Sequence, residues 1–311
     1  MSLRIAAGTA HRALASSISS ALGADIVAGE VERFPDGELR PYMPGVRGGD
    51  VFLVQPTGPP VNDNLVELLL SLDACRRAGA GRVTAVVPYF GYARQDRRNL
   101  EGQAIGARVV AAAIASAGAN RLMVIDPHTI VLEAMFAIPV ETLTAVSAIA
   151  DALLPAVTPD TVVVAPDLGA VKLAEHYASL LGLSVVIVRK TRLTGTTVRA
   201  EELVGQVRGR PAIVVDDMIS TGATIEAAVR LLLDNGACPD VIVAATHGLF
   251  VGEAVERLAK LPLRRLVITD TLGGVESHAL PVQVASIAPL LAVAIGRLHD
   301  DDPVNELLGG A

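Results

Sequence analysis

The sequence predicts an α/β protein with two similar domains, each a mostly parallel sheet flanked by helices. Three observations carry that expectation. At 311 residues the chain is long enough for two ordinary α/β domains, and a hydrophobic content of 51% supplies their cores. Short apolar runs of strand length alternate with longer segments of helical period. Polar residues able to do chemistry collect where the apolar runs end, the edge at which open α/β sheets bind ligands.

Aromatic residues make up only 3% and Trp is absent, so the cores must be built from Ala, Val, Leu and Ile. A net charge of −7 and a pI near 5.4 argue against general affinity for nucleic acid or an anionic membrane. Cys75 and Cys238 are far apart and lack partners at metal-ligand spacing, which marks them as small core residues in a reducing compartment. The N-terminus lacks the long apolar core of a signal peptide, and no apolar run approaches the ~20 residues of a membrane span. A soluble cytoplasmic protein is expected.

In order, residues 3–7 form a strand, and Ala10 to Leu22 has helical spacing. A second strand near Ile26 to Ala28 leads to the stretch Val31 to Glu38, where Pro35 and Gly37 force a turn. The turn is a hairpin tip with a packed aromatic, or else Phe34 offers a flat face to a base while Asp36 and Glu38 accept its amino protons. Val46 to Gln55 is a strand entered through a glycine turn. Asn62-Asp63-Asn64 is expected to cap a helix from about Leu65 to Ala78, with Leu65, Leu68, Leu69 and Leu72 facing the core.

Arg82 to Val87 is a buried strand that ends in Pro88-Tyr89-Phe90-Gly91-Tyr92-Ala93-Arg94-Gln95-Asp96-Arg97-Arg98. Aromatics interleaved with arginines make a solvated charge run the poorer account. Arginine forks suit polyphosphate oxygens, and Gln95 can read a base or ribose. Ile105 to Ala117 is Ala-rich and helical; strand Arg121 to Ile125 then ends in Asp126-Pro127-His128, where His128 is either a ligand or structural.

Glu141 to Leu154 begins a second α/β unit. Strand Thr161 to Ala165 runs into Pro166-Asp167-Leu168-Gly169-Ala170 and a helix through Leu181, so Asp167 is a third carboxylate at a strand end or that helix's cap. Strand Ser184 to Val188 precedes the polar stretch Arg189 to Thr197, which has no helical period and is expected to be a mobile flap or an exposed basic loop.

Pro211 and the apolar run Ala212 to Val215 form the next parallel strand. Asp216 and Asp217 follow, then the hydroxyl-rich turn Ser220-Thr221-Gly222-Ala223-Thr224, then a helix from about Ile225 to Asn235. A helix start offers N–H groups without intrahelical partners and the positive end of a dipole, so a phosphate settles there readily. Gly222 lets backbone approach the ligand, the hydroxyls of Ser220, Thr221 and Thr224 add donors, and Asp216 and Asp217 accept from sugar hydroxyls or hold a hydrated cation. The bland alternative is a capped helix beside solvated aspartates.

Val241 to Ala244 is a strand leading to a structural His247, and Leu266 to Asp270 is the last clear strand. Val284 to Leu291 should start a helix reaching about His299, and the polar tail from Asp300 should fray. Four strand ends, near Arg94, His128, Asp167 and Asp216, thus carry polar groups, two in each half of the chain. A cleft between two domains is where they are expected to converge. The chain has no Gly-x-x-x-x-Gly-Lys-Ser/Thr stretch, so an ATP site would not be a P-loop.

The stretch Val214 to Ile225 resembles the loop that binds phosphoribosyl diphosphate in phosphoribosyltransferases and in ribose-phosphate diphosphokinase. The turn Phe34 to Glu38, the strand Val46 to Gln55, the helix start Asn62 to Leu69 and the stretch Pro88 to Arg98 are similar to the second family alone, in its order and spacing, and the resemblance covers nearly the whole chain. It implies domains of phosphoribosyltransferase type: 1–145 on the ATP side, 146–286 on the ribose 5-phosphate side, and 287–311 as a helix returning to the first domain, with a tail. It also implies transfer of diphosphate from MgATP to the C1 hydroxyl of ribose 5-phosphate, giving 5-phosphoribosyl 1-diphosphate and AMP for nucleotide biosynthesis. The implied cofactor is Mg2+, and the implied assembly is a homo-oligomer built on dimers, up to a hexamer.

Residue by residue, the resemblance assigns ATP to Phe34, Asp36, Glu38, Arg94, Gln95, Asp96 and His128, with Asp36 and Glu38 reaching in from a neighbouring subunit. Ribose 5-phosphate goes to Asp167, Asp216, Asp217, Ser220, Thr221, Gly222, Ala223 and Thr224; magnesium goes to His128 and Asp167. Lys190 and Arg192 match the catalytic pair of the family's flexible loop. Departures also stand in the sequence. The loop's intervening arginine is Thr191 and its proline-rich continuation is missing, the residue before His128 is Pro127 rather than leucine, and the phosphate loop reads Ser-Thr-Gly-Ala-Thr. The family's longer loop after Arg98 is here Asn99 to Ile105, and a family serine is Gly79, which bears on phosphate activation, ADP inhibition and the hexamer. Two rivals remain, a phosphoribosyltransferase and a non-catalytic regulatory homologue.

Overall fold

The computed structural model describes residues 1–192, 199–274 and 279–308; for 190–192 and 199–201 it describes the backbone alone. The chain divides into two units. The first comprises Met1–Thr144, Thr271–Gly273 and the described residues from Ile287 onward; the second comprises Ala145–Asp270 and the stretch from Gly274 to Ser286.

The first unit runs β1 (Leu3–Ala7), α1 (Arg12–Leu22), β2 (Asp25–Ile26), β3 (Glu30–Arg33), β4 (Leu39–Tyr42), β5 (Asp50–Val54), α2 (Val61–Arg77), β6 (Arg82–Val87), α3 (Gly106–Ala117), β7 (Arg121–Ile125) and β8 (Val140–Leu143). Six strands make one parallel sheet in the order β2-β1-β5-β6-β7-β8, while β3 and β4 pair antiparallel as a separate hairpin. Val51, Leu53, Val83, Ala85, Leu122 and Val124 pack from the sheet against Leu68, Leu72 and Cys75 of α2 and Val110 and Ile114 of α3. Burial pushes the Cys75 thiol up to about 12, as suits an inert core residue. Leu68 and Leu72 are fully buried, with Leu65 and Leu69 flanking them.

Helix α2 starts at Val61, ahead of the expected cap. Pro60 precedes it with a φ of −75° that already suits a helix, and Asn62-Asp63-Asn64 falls inside the first turn, where Asn64 donates to the Gly58 carbonyl at 2.9 Å.

The second unit runs α4 (Val146–Leu153), β9 (Val162–Ala165), α5 (Val171–Leu181), β10 (Ser184–Arg192), β11 (Arg199–Val204), β12 (Ala212–Ile219), α6 (Ala223–Asp234), β13 (Val241–Gly248), α7 (Ala254–Leu258), β14 (Leu263–Thr269) and β15 (Val282–Ala285). Its sheet has the order β11-β10-β9-β12-β13-β14-β15, parallel except at the β10–β11 pair. Valines and isoleucines of the sheet alternate between two cores, one under α6 and α7 and the other under α4 and α5.

Four expectations are corrected. The stretch 141–154 divides between the units, because Val140–Leu143 pairs with β7 as the last strand of the first sheet. Arg189 to Arg192 continues β10 instead of starting a flap, and its register against β11 sets Arg189 opposite Glu202. An antiparallel edge pair need not be apolar on both faces, so no apolar run announced it. The remaining flap positions, Leu193 to Thr197, lie outside the described residues. A further strand, β15, follows β14, and the helix expected from Val284 begins only at Ala288, as α8 (Ala288–His299).

Helix α8 belongs to the first unit and packs on α1. The fully buried Asp50 holds it: Arg82 donates to both Asp50 oxygens at 2.7 and 2.6 Å and to the Leu298 carbonyl at 3.0 Å, and His299 Nδ1 lies 2.8 Å from Asp50. The tail is docked rather than frayed. Val304 is buried, the Thr144 N–H donates to the Leu307 carbonyl at 3.2 Å, and Leu308 bridges to Leu143.

Candidate active site

In the second unit, Asp216 and Asp217 stand inside β12, which pairs with β13 through Ile219 instead of stopping at Val215. Met218 and Ile219 are buried again beyond the carboxylates, so the two acids interrupt a buried strand's pattern without ending the strand. Burial pushes the Asp216 carboxyl up to about 8, and the charges of Asp217 and Asp167 push the same way. Asp167 follows β9, where its Oδ1 accepts from the N–H groups of Gly169 at 2.8 Å and Ala170 at 3.2 Å, ahead of α5.

The turn after β12 delivers Ser220 to Thr224 to the start of α6. Gly222 precedes the helix with a φ of +73°, and among the described residues no side chain caps it. The first-turn N–H groups of α6 are therefore available to an anion. Behind them, the Val251 N–H donates to the Ser220 carbonyl at 3.0 Å, and Leu258 lies 3.2 Å from where a Cβ on Gly222 would stand.

In the first unit, the turn after β6 forms a groove of about 500 Å³ lined by Val61, Tyr89, Tyr92, Arg94 and Gln95. Tyr92 takes a φ of +69°, unusual for a bulky residue, and its hydroxyl bonds Asn62 on α2. Gln95 lies over the start of α3: its carbonyl accepts from the Ala107 N–H at 3.2 Å, and a Cβ on Gly106 would meet its Oε1 at 2.6 Å. Arg94 is exposed. Asp96 pairs with Arg97 at 3.0 Å; that bond foremost, helped by one to Thr129, holds its carboxyl below the usual range. Asp96 thus ties this loop to the residue after His128. His128 is exposed beyond the end of β7, after an Asp126 held at a φ of +37°.

Phe34, Asp36 and Glu38 occupy the β3–β4 turn, closed by the Phe34 N–H to the Glu38 carbonyl at 2.8 Å. An ion pair of Arg33 with Asp63 at 3.0 Å ties this hairpin to α2. Reasoning from sequence missed Arg40, whose guanidinium lies 4.9 Å from the centre of the Phe34 ring and covers one of its faces. A period-2 reading of residues 30–42 would have placed Arg40 on that hairpin. The side chains of Lys190 and Arg192 lie outside what the structure describes; their backbones are in β10.

Residues 3–118 match the family model for the N-terminal domain of ribose phosphate pyrophosphokinase, and residues 198–308 match that for the phosphoribosyl synthetase-associated domain. The ribose-phosphate pyrophosphokinase of Aquifex aeolicus is 39% identical over 307 residues, and that of Rhodopirellula baltica 42% identical over 310; each alignment covers 98% of both chains. The crystal structure of phosphoribosylpyrophosphate synthetase from Mycobacterium smegmatis superposes with a TM-score of 0.88 at 37% identity, covering 97% of this chain and all of that one.

Proposed function

The chain belongs to the ribose-phosphate pyrophosphokinase family, and from that premise we propose how its own residues do the family's work. The reaction is transfer of the diphosphate of ATP to the C1 hydroxyl of ribose 5-phosphate, giving 5-phosphoribosyl 1-diphosphate and AMP. The observation that carries the assignment to this chain is the uncapped start of α6 below the carboxylates of β12, in a chain related to these enzymes along 98% of its length.

Attack falls on the β-phosphorus, and charge grows on the leaving oxygen, so catalysis rests on alignment and charge neutralisation. Ser220, Thr221, Gly222, Ala223 and Thr224 hold the 5-phosphate through hydroxyls and backbone N–H groups. Asp216, Asp217 and Asp167 orient the ribose hydroxyls. Arg94, Gln95 and Asp96, with Phe34 and His128, place ATP; Asp36 and Glu38 read the base amino group. Lys190 and Arg192 bring positive charge to the transferred group.

The donor set fits Mg2+. Among the described residues no three His, Cys, Asp or Glu side chains gather to hold an ion unaided. Magnesium, however, needs only one or two carboxylates when substrate phosphates complete its shell. Burial foremost, and then the charges of Asp217 and Asp167, raise the Asp216 carboxyl, and a divalent cation beside these carboxylates would relieve their mutual repulsion. His128 and Asp167 each offer a donor. When bound, the ion neutralises phosphate charge and fixes the diphosphate's orientation.

The protein works in the cytoplasm, in keeping with two free cysteines, as a homo-oligomer built on dimers. Phosphorus NMR of the protein with MgATP and ribose 5-phosphate tests the reaction. AMP and a sugar diphosphate should appear together, and neither should form when the sugar is omitted. Binding of both ligands without turnover would favour a regulatory homologue.

A further inference from the structure

The first turn of α6 carries an acid where the phosphate reading calls for positive potential. Glu226 is the fourth residue of the helix, and an anion there opposes a phosphate at the same end. Two arginines meet it. Arg230, one turn on, donates to Glu226 Oε1 at 2.9 Å and is well exposed; Arg257, from α7, donates to Oε2 at 2.7 Å and is about one-third exposed. Arg257 is thus the less solvated partner, and its Nε is buried without a hydrogen bond among the described residues. The same short helix places Leu258 against Gly222. Arg257, foremost, and Arg230 hold the Glu226 carboxyl below its usual range.

We propose that Arg257 is a positioning residue for sugar-phosphate binding: by neutralising Glu226 it keeps the N-terminus of α6 attractive to a phosphate. This rests on the assignment of the α6 turn to the 5-phosphate. It concerns binding, not the reacting atoms, so the KM for ribose 5-phosphate should respond and kcat should not.

The test uses the full-length protein and four forms: wild type, Arg257→Gln, Glu226→Gln and the double variant. Arg257→Gln should raise the KM for ribose 5-phosphate about fivefold, as loss of one charge partner near a bound anion would, with kcat changed less than twofold. Raising the salt should shrink that defect by screening. Glu226→Gln alone should leave binding as tight as in wild type or tighter, and the double variant should return to within about twofold of wild type, since the charge that Arg230 alone offsets only in part is gone. Thermal unfolding of each form confirms that it is folded. An unchanged KM in Arg257→Gln, or a double variant as impaired as Arg257→Gln, would overturn the proposal. If calorimetry finds that wild type binds no ribose 5-phosphate, the assignment of the α6 turn falls, and this inference falls with it.

Discussion

The turns after β5 and after β12 hold the same station in two similarly wired sheets. Each follows the strand next to the one that opens its unit, and each leads into a helix. After β5, side chains of the protein itself satisfy the turn. Gln55 is fully buried and accepts from the Ala10 N–H at 3.1 Å; the Thr57 hydroxyl bonds the Gly91 N–H at 2.7 Å and the Tyr89 carbonyl at 3.2 Å; the buried Glu67 accepts from Thr9. Near the end of β12 stand Asp216 and Asp217, then come the half-buried Ser220 and Thr224 and the exposed Thr221, and among the described residues no side chain caps the helix start. One turn is filled by the protein's own side chains; the other is the one we propose for the 5-phosphate. The lesson is that a shared topology supplies the place, while the polar bookkeeping of each turn decides whether anything can bind.

The largest effect should come from the ribbon that follows β9 in the second unit. Arg192→Ala should lower kcat about a hundredfold or more, the scale of losing one preorganised charge donor, with ribose 5-phosphate affinity changed little. Steady-state kinetics with calorimetry checks it, and equal losses in both would blur the line between holding and transferring groups. In the first unit, Phe34→Ala should raise the KM for ATP about tenfold, the worth of a stacked base, and leave calorimetric binding of ribose 5-phosphate unchanged.

Smaller effects sharpen the contrast in stability. Burial alone would raise the Asp50 carboxyl, but the bonds from Arg82 and His299 override it and hold it below its ordinary 3.8. Its contribution is therefore fully present above the unfolded value and is lost as pH falls through the folded one. Asp50→Asn should cost about 3 kcal/mol at neutral pH, as expected for breaking a buried pair, and the cost should shrink in acid. Asp216 behaves oppositely. Its folded pKa is raised to about 8 from 3.8, so its contribution is full below the unfolded value and is lost as pH rises toward 8. Asp216→Asn should stabilise the protein by about 1 to 2 kcal/mol at pH 8.5, less at pH 5, while turnover falls. Denaturant titrations at the two pH values decide both.

Much of this was legible in the sequence because a parallel sheet buried on both faces writes itself as apolar runs. The runs at 82–87, 121–125 and 162–165 gave their strands, and the dense hydroxyl turn at 220–224 gave its helix start. What escaped depends on partners distant in sequence. Nothing local marks Asp50 within its strand until Arg82 and His299 come to it, or Arg40 until the hairpin folds it over Phe34. The β10–β11 ribbon escaped because an antiparallel edge pair need not be apolar on both faces. The tail escaped because its docking uses backbone bonds to Thr144 and Leu143 that leave no mark on composition.

Amide hydrogen exchange with ribose 5-phosphate as the sole ligand tests the central claim, that the turn after β12 was left open for a sugar phosphate and the turn after β5 was not. Saturating ligand should slow exchange at residues 220–225, with no change at 55–64. Protection at 55–64, or none at 220–225 under conditions where calorimetry shows binding, would contradict the account.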